Sequence, residues 1–79
     1  MDPLTELRNQ IDAVDHQLMI LLNQRMELSK KVGLIKQGGR IYQPDREREI
    51  LGYASEFENA HQIQTLYQLI FQLSRELQE

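Results

Sequence analysis

Residues 4–35 read LTELRNQIDAVDHQLMILLNQRMELSKKVGLI, and the fold turns on this stretch. Leu4, Leu7, Ile11, Val14, Leu18, Leu21, Arg25, Leu28, Val32 and Ile35 recur at alternating steps of three and four. Side chains so spaced share one stripe of a helix. Nine are aliphatic and the tenth is a guanidinium. A charge on a buried stripe is costly unless it is paired. Something anionic should therefore meet Arg25, either a protein carboxylate or a ligand.

The flanks set the ends of this helix. Asp2 suits the N-cap and Pro3 the first helical position. Gly33 costs about 1 kcal/mol in a helix interior, a cost that close approach of another helix explains. Gly38-Gly39 supplies the stop, and residues 38–43 read as a loop. Pro44 opens a second helix with Asp45, Glu47 and Glu49 in its first turns and Ile50, Leu51, Ala54 and Phe57 on its apolar face. A third helix carries Ile63, Leu66, Tyr67, Leu69, Ile70, Leu73 and Leu77. The class is all-α: three helices over about residues 3–37, 44–57 and 60–78, in a single domain spanning 1–79.

The first helix is too long for the rest of the chain. About 35 residues make a rod of roughly 50 Å. A compact domain of 79 residues has a diameter of roughly 30 Å. Two shorter helices cannot cover the rod, so a partner must, and a symmetric homodimer with intertwined helices is the commonest solution. The chain has no Cys, which excludes disulfides and thiolate metal sites. A formal charge of −3 argues against general nucleic-acid binding. No apolar run approaches the ~20 residues of a membrane span. Met1-Asp2-Pro3 is no signal-peptide start. An intracellular, cytoplasmic protein is the expectation.

Several polar side chains fall on or beside the apolar faces. Lys36 follows Arg25 by eleven residues, about 16 Å along the axis, and lies within about 50° of the same line. Glu47 points with Ile50 and Leu51, and Ser74 and Gln78 continue the line of Ile63, Tyr67 and Ile70. Arg8 flanks Leu7 and Ile11. Each has a plain explanation alone. Arg25 suits a buried ion pair or register device as well as a ligand anchor. Lys36 and Arg8 suit snorkelling cations, Glu47 an exposed first-turn acid, and Ser74 and Gln78 the polar end of a helix. Together they suit a site for a small polyanion. Arg8 lies seventeen residues from Arg25, or about 25 Å, too far for one small metabolite to touch both on one helix. Two first helices packed antiparallel about residues 16 and 17 would bring Arg8 of one chain to Arg25 of the other.

These positions resemble the all-helical chorismate mutases, the short bacterial type also found fused to prephenate dehydratase or dehydrogenase. The likeness rests on L-x-x-L-R-x-x-I-D-x-V-D at Leu4 to Asp15, L-L-x-x-R at Leu21 to Arg25, V-G-x-x-K at Val32 to Lys36 and P-D-R-E-R-E at Pro44 to Glu49, with Leu66 to Gln78 matching in spacing. It covers nearly the whole chain. Two departures stand out. Gln43 occupies a place where the family often has an acid, and the Leu51 to Leu66 connection is several residues shorter.

The resemblance implies an isomerase that rearranges chorismate to prephenate on the way to phenylalanine and tyrosine, with no metal or other cofactor. It implies that Arg25 and the partner chain's Arg8 hold two carboxylates and that Lys36 and Gln78 donate to the ether oxygen. Arg46 and Glu47 would line the site, Glu47 accepting from the ring hydroxyl. Ser74 would assist a carboxylate, and the Gln43 backbone would contact the hydroxyl. Two rival readings stand beside it. One is an isochorismate-pyruvate lyase on the same fold, against which Glu47 and the P-D-R-E-R run weigh. The other is a non-catalytic helical dimerisation or regulatory domain. It fits the heptad stripe equally well but not the polar groups on apolar faces.

Overall fold

Asp2 caps the first helix as a short acid should. Its side chain accepts from Thr5 N at 2.9 Å and from Thr5 Oγ1 at 2.7 Å. The backbone bond, then the hydroxyl bond, holds the Asp2 carboxyl below the usual carboxylate range. The computed structural model describes residues 2–37, 39 and 41–79; Met1, Gly38 and Arg40 lie outside the described residues, and with Gly38 half of the expected Gly38-Gly39 stop. It contains α1 (Pro3–Ile35), α2 (Pro44–Ala54) and α3 (Ala60–Gln78), with no strand among the described residues.

Two helix ends fall short of expectation. α1 stops at Ile35 rather than 37, where the Lys36 N–H still reaches Val32 O at 2.9 Å and Gly39 N turns back to Lys36 O. α2 stops at Ala54 rather than 57. Tight-turn backbone N–H groups take its last carbonyls, Glu56 N reaching Tyr53 O and Phe57 N reaching Ala54 O, while Ser55 Oγ donates to Gly52 O at 2.6 Å and Gln64 Nε2 to Leu51 O at 3.0 Å. Carbonyls satisfied in this way need no further helical turn. Phe57, expected on the α2 apolar face, therefore lies past its end and is exposed.

α3 packs on the C-terminal half of α1, and α2 packs on α3. The molecule measures 55 × 24 × 14 Å with a radius of gyration of 15.8 Å, against about 12 Å for a compact domain of this length. The heptad stripe stays uncovered: Leu4, Leu7, Ile11, Val14, Leu18, Leu21, Leu28, Val32 and Ile35 are all exposed. The face that meets α3 is instead Leu22, Arg25, Met26 and Ser29, against Ile70, Leu73 and Ser74. Ser29 is the one buried residue of α1. On α3 the most buried side chain is Phe71, absent from the expected stripe, whereas Leu66 and Leu69 are exposed. Among the described residues no helix is long and apolar enough to cross a membrane.

Gly33 continues the inner face and lets the end of α3 touch α1. A Cβ built on it would lie 2.6 Å from the Gln78 carbonyl oxygen and 2.7 Å from the Gln78 Cα. These are backbone atoms that cannot swing aside. Gly33→Ala should therefore lower the urea midpoint at matched chain concentration. Overpacking costs about 1–3 kcal/mol, and a backbone clash belongs at the upper end, above the roughly 1 kcal/mol gained in helix propensity. A midpoint equal to the parent's, or higher, would show that the two backbones do not meet there.

Candidate active site

A cavity of about 340 Å³ lies where α1, α2 and α3 converge, within the range of small-molecule sites. α1 contributes Arg25, Leu28, Ser29 and Val32, with Lys36 just past its end. The connecting loop contributes Ile41 and Gln43; α2 contributes Arg46, Glu47 and Ile50; α3 contributes Phe71, Ser74, Arg75 and Gln78. Local chemistry explains the placement. Pro44 keeps Gln43 out of the helical region, at φ −123° and ψ 82°. The chain turns there, and the Gln43 carbonyl takes the Glu47 N–H at 3.0 Å.

The charges are distributed unevenly. Arg25, Lys36, Arg46 and Arg75 line the cavity, with Glu47 as the one carboxylate among the described lining residues. Arg46 Nη1 bonds Glu49 Oε1 at 3.1 Å on the solvent side, a pairing typically worth about 0.2–1 kcal/mol. The same Glu49 oxygen accepts from the Tyr53 hydroxyl at 2.6 Å, which holds the Tyr53 phenol above its ordinary range. Arg75 Nη1 donates to Glu47 Oε2. Arg25 and Lys36 have no carboxylate partner among the described residues. Arg25 lies instead over two aromatic rings, 5.8 Å from the Tyr67 centroid and 5.9 Å from that of Phe71. The rings meet edge to face at 5.6 Å. Cation–π contact of this kind is worth about 0.5–2 kcal/mol. It makes the half-buried guanidinium tolerable without neutralising it.

A short polar chain crosses the same cavity. Ser29 Oγ and Ser74 Oγ share a hydrogen bond at 2.6 Å, and Gln78 Nε2 donates to Ser74 Oγ at 3.4 Å. Ser74 thus links α1 to the end of α3. The Gln78 amide has a second N–H that bonds no group among the described residues.

Seven of the expected residues come together here: Arg25, Lys36, Gln43, Arg46, Glu47, Ser74 and Gln78. Arg8 does not. It is exposed on the N-terminal half of α1. Sequence reasoning missed Ser29, Arg75 and Phe71. Ser29 had a signal, standing one turn after Arg25 and one turn before Gly33. The pairing of Arg75 with Glu47, 28 residues away, had none.

The sequence profile of the family described as Chorismate mutase type II matches residues 7–79. The bifunctional chorismate mutase/prephenate dehydratase of Aquifex aeolicus is 46% identical over 52 residues, covering 63% of this chain and 14% of that protein. Its Escherichia coli K12 counterpart is 38% identical over 90% of this chain and 20% of its own length. The chain thus spans about one-seventh of the length of the first curated relatives it matches. Among solved structures, chorismate mutase from Helicobacter pylori in complex with prephenate superposes with a TM-score of 0.85 at 42% identity, covering 95% of this chain and 88% of that one.

Proposed function

This chain belongs to the chorismate mutase type II family, and we propose that it catalyses the rearrangement of chorismate to prephenate. The observation that carries the reading is the pair of cations, Arg25 and Lys36, left without a carboxylate partner among the described residues that line one cavity. An anionic ligand is what such a pair lacks. The Helicobacter pylori relative, similar over 95% of this chain, was solved with prephenate bound, which supports the same assignment.

The reaction is unimolecular. One carbon–oxygen bond breaks as a carbon–carbon bond forms, and no nucleophile, redox centre or proton transfer is required. The protein has two tasks. One is to hold the enolpyruvyl arm over the ring, which arginine–carboxylate forks do well. The other is to stabilise negative charge growing on the ether oxygen. In our reading Arg25 grips one carboxylate with help from Ser74, while Lys36 and the second N–H of Gln78 address the ether oxygen. Glu47 and the Gln43 backbone take the ring hydroxyl, and Arg46 lines the mouth.

The second carboxylate falls to Arg8 of a partner chain. The exposed stripe from Leu4 to Leu21 suits a second copy packed antiparallel, which would carry Arg8 toward the other chain's Arg25. Residues 1–79 then act as one helical chorismate mutase domain in an intertwined homodimer. A cytoplasmic setting belongs to the same reading.

The test is direct. Purified protein should consume chorismate in a spectroscopic assay and yield prephenate, and should release no pyruvate from isochorismate. Pyruvate release at a comparable rate would make it a lyase. Neither reaction, with no binding of a bicyclic oxa-bridged dicarboxylate transition-state mimic, would make it a non-catalytic helical dimer.

A further inference from the structure

Arg75 joins three parts of the molecule at one end of the cavity. It sits on α3, donates to Glu47 on α2, and lies 5.2 Å over the Tyr42 ring in the connecting loop. The Arg75 side chain is 33% exposed and that of Glu47 18%. The pair is therefore withdrawn from water more than the other ion pairs among the described residues, whose partners are all more than half exposed. The bond uses Glu47 Oε2; Glu47 Oε1 has no donor among the described residues.

A carboxylate in a cavity that must admit a dicarboxylate poses a conflict. It offers a hydroxyl acceptor, yet repels the ligand's own charges. In a partly desolvated site that repulsion is strong, because the effective dielectric is far below that of water. A guanidinium bonded to one oxygen resolves it. The pair carries no net charge, and the other oxygen still accepts.

Resting on the mutase reading above, we propose that Arg75 is a positioning residue: it fixes the Glu47 carboxylate by one oxygen and cancels its charge, so that the cavity accepts a doubly anionic, hydroxyl-bearing ligand. Its stacking on Tyr42 ties the loop that carries Gln43 to the same end of the site. The Glu47 of an Arg75-deficient chain keeps its acceptor and loses its counter-charge.

The charge logic separates this role from a merely structural ion pair. A structural pair is broken equally from either side, so Arg75→Leu and Glu47→Gln should then harm binding alike. Here they should act with opposite sign. The probe is the bicyclic oxa-bridged dicarboxylate mimic, titrated calorimetrically into the full chain, with helix content checked by circular dichroism. Arg75→Leu should weaken binding about tenfold or more, with the deficit shrinking as salt is raised. Glu47→Gln keeps an acceptor oxygen, leaves a surplus cation, and should tighten binding severalfold. The double variant should return to within about threefold of the parent, and Arg75→Lys should recover most of the affinity. If the parent binds the mimic but both single variants weaken it alike, or Arg75→Leu binds as the parent does, the positioning role is overturned while the site stands. If the parent itself does not bind, the mutase reading fails first. Should Arg75→Leu lose its helical signal, Glu47→Gln decides alone: tighter binding supports the role, weaker binding overturns it.

Discussion

Lys36→Ala should lower kcat by two to three orders of magnitude and leave the helices intact. The two halves of that expectation have different magnitudes behind them. Lys36 is half-buried at the α1 C-cap, beside the cavity, with no ion-pair partner among the described residues. Its contribution to the fold is then little more than a cation near the negative end of a helix, typically about 0.3–1 kcal/mol. Its contribution to the barrier is of another size. Removing one preorganised donor aimed at developing charge costs about 3–4 kcal/mol, and each 1.4 kcal/mol is roughly tenfold in rate. Gln78 is a neutral donor and cannot supply the missing charge. The check is a chorismate-loss assay at saturating substrate, with circular dichroism on the same samples. Turnover near the parent's would remove Lys36 from the ether oxygen. Loss of helical signal would mean that the residue holds the fold.

The helices were readable because their signals are local. Pro3 and Pro44 mark starts, and three-four spacing marks faces. The relation between the faces was harder to read. The heptad stripe is the strongest pattern in the chain, yet α3 does not pack on it. α3 packs one residue further round, on Leu22, Met26, Ser29 and Gly33. Ser29 and Gly33 allow close approach because they are small, a property that hydropathy does not score. Arg25 lies on both faces, which is why reading either one finds it.

The candidate site was legible in proportion to how badly each residue fits its surroundings. Arg25 breaks an aliphatic series, and Glu47, Ser74 and Gln78 interrupt apolar faces. A polar group in such a place needs a reason, and the cavity supplies one. Phe71 was missed for the converse cause. An aromatic residue one step from Ile70 gives no sign that it, rather than Leu69, will be buried; that depends on where Arg25 arrives. Arg75 follows Ser74 directly and reads as an ordinary charge near a helix end.

Arg8 requires a different experiment, because its partner is expected on another chain. Arg8→Ala and Arg25→Ala should each lower activity alone by about 30-fold to a few thousand-fold, since truncating one side of a desolvated charge pair costs about 2–5 kcal/mol. Unfolded together in equal amounts and refolded, the two impaired proteins should regain activity. In a heterodimer one site takes Arg25 from the first variant and Arg8 from the second, and is whole. The other site lacks both. Each heterodimer should therefore reach up to about half the parental rate, and a random mixture, half of it heterodimer, about a quarter. No cis arrangement predicts this. Arg8 is exposed on the half of α1 that the cavity does not reach, about 25 Å along the axis from Arg25. If it acted only through its own chain's site, every chain would still lack either Arg8 or Arg25, in heterodimers and homodimers alike, and mixing would restore nothing. Recovery that scales with the heterodimer fraction requires the shared site. A mixture as inactive as its components would confine Arg8 to the surface and leave the second carboxylate without an assigned partner.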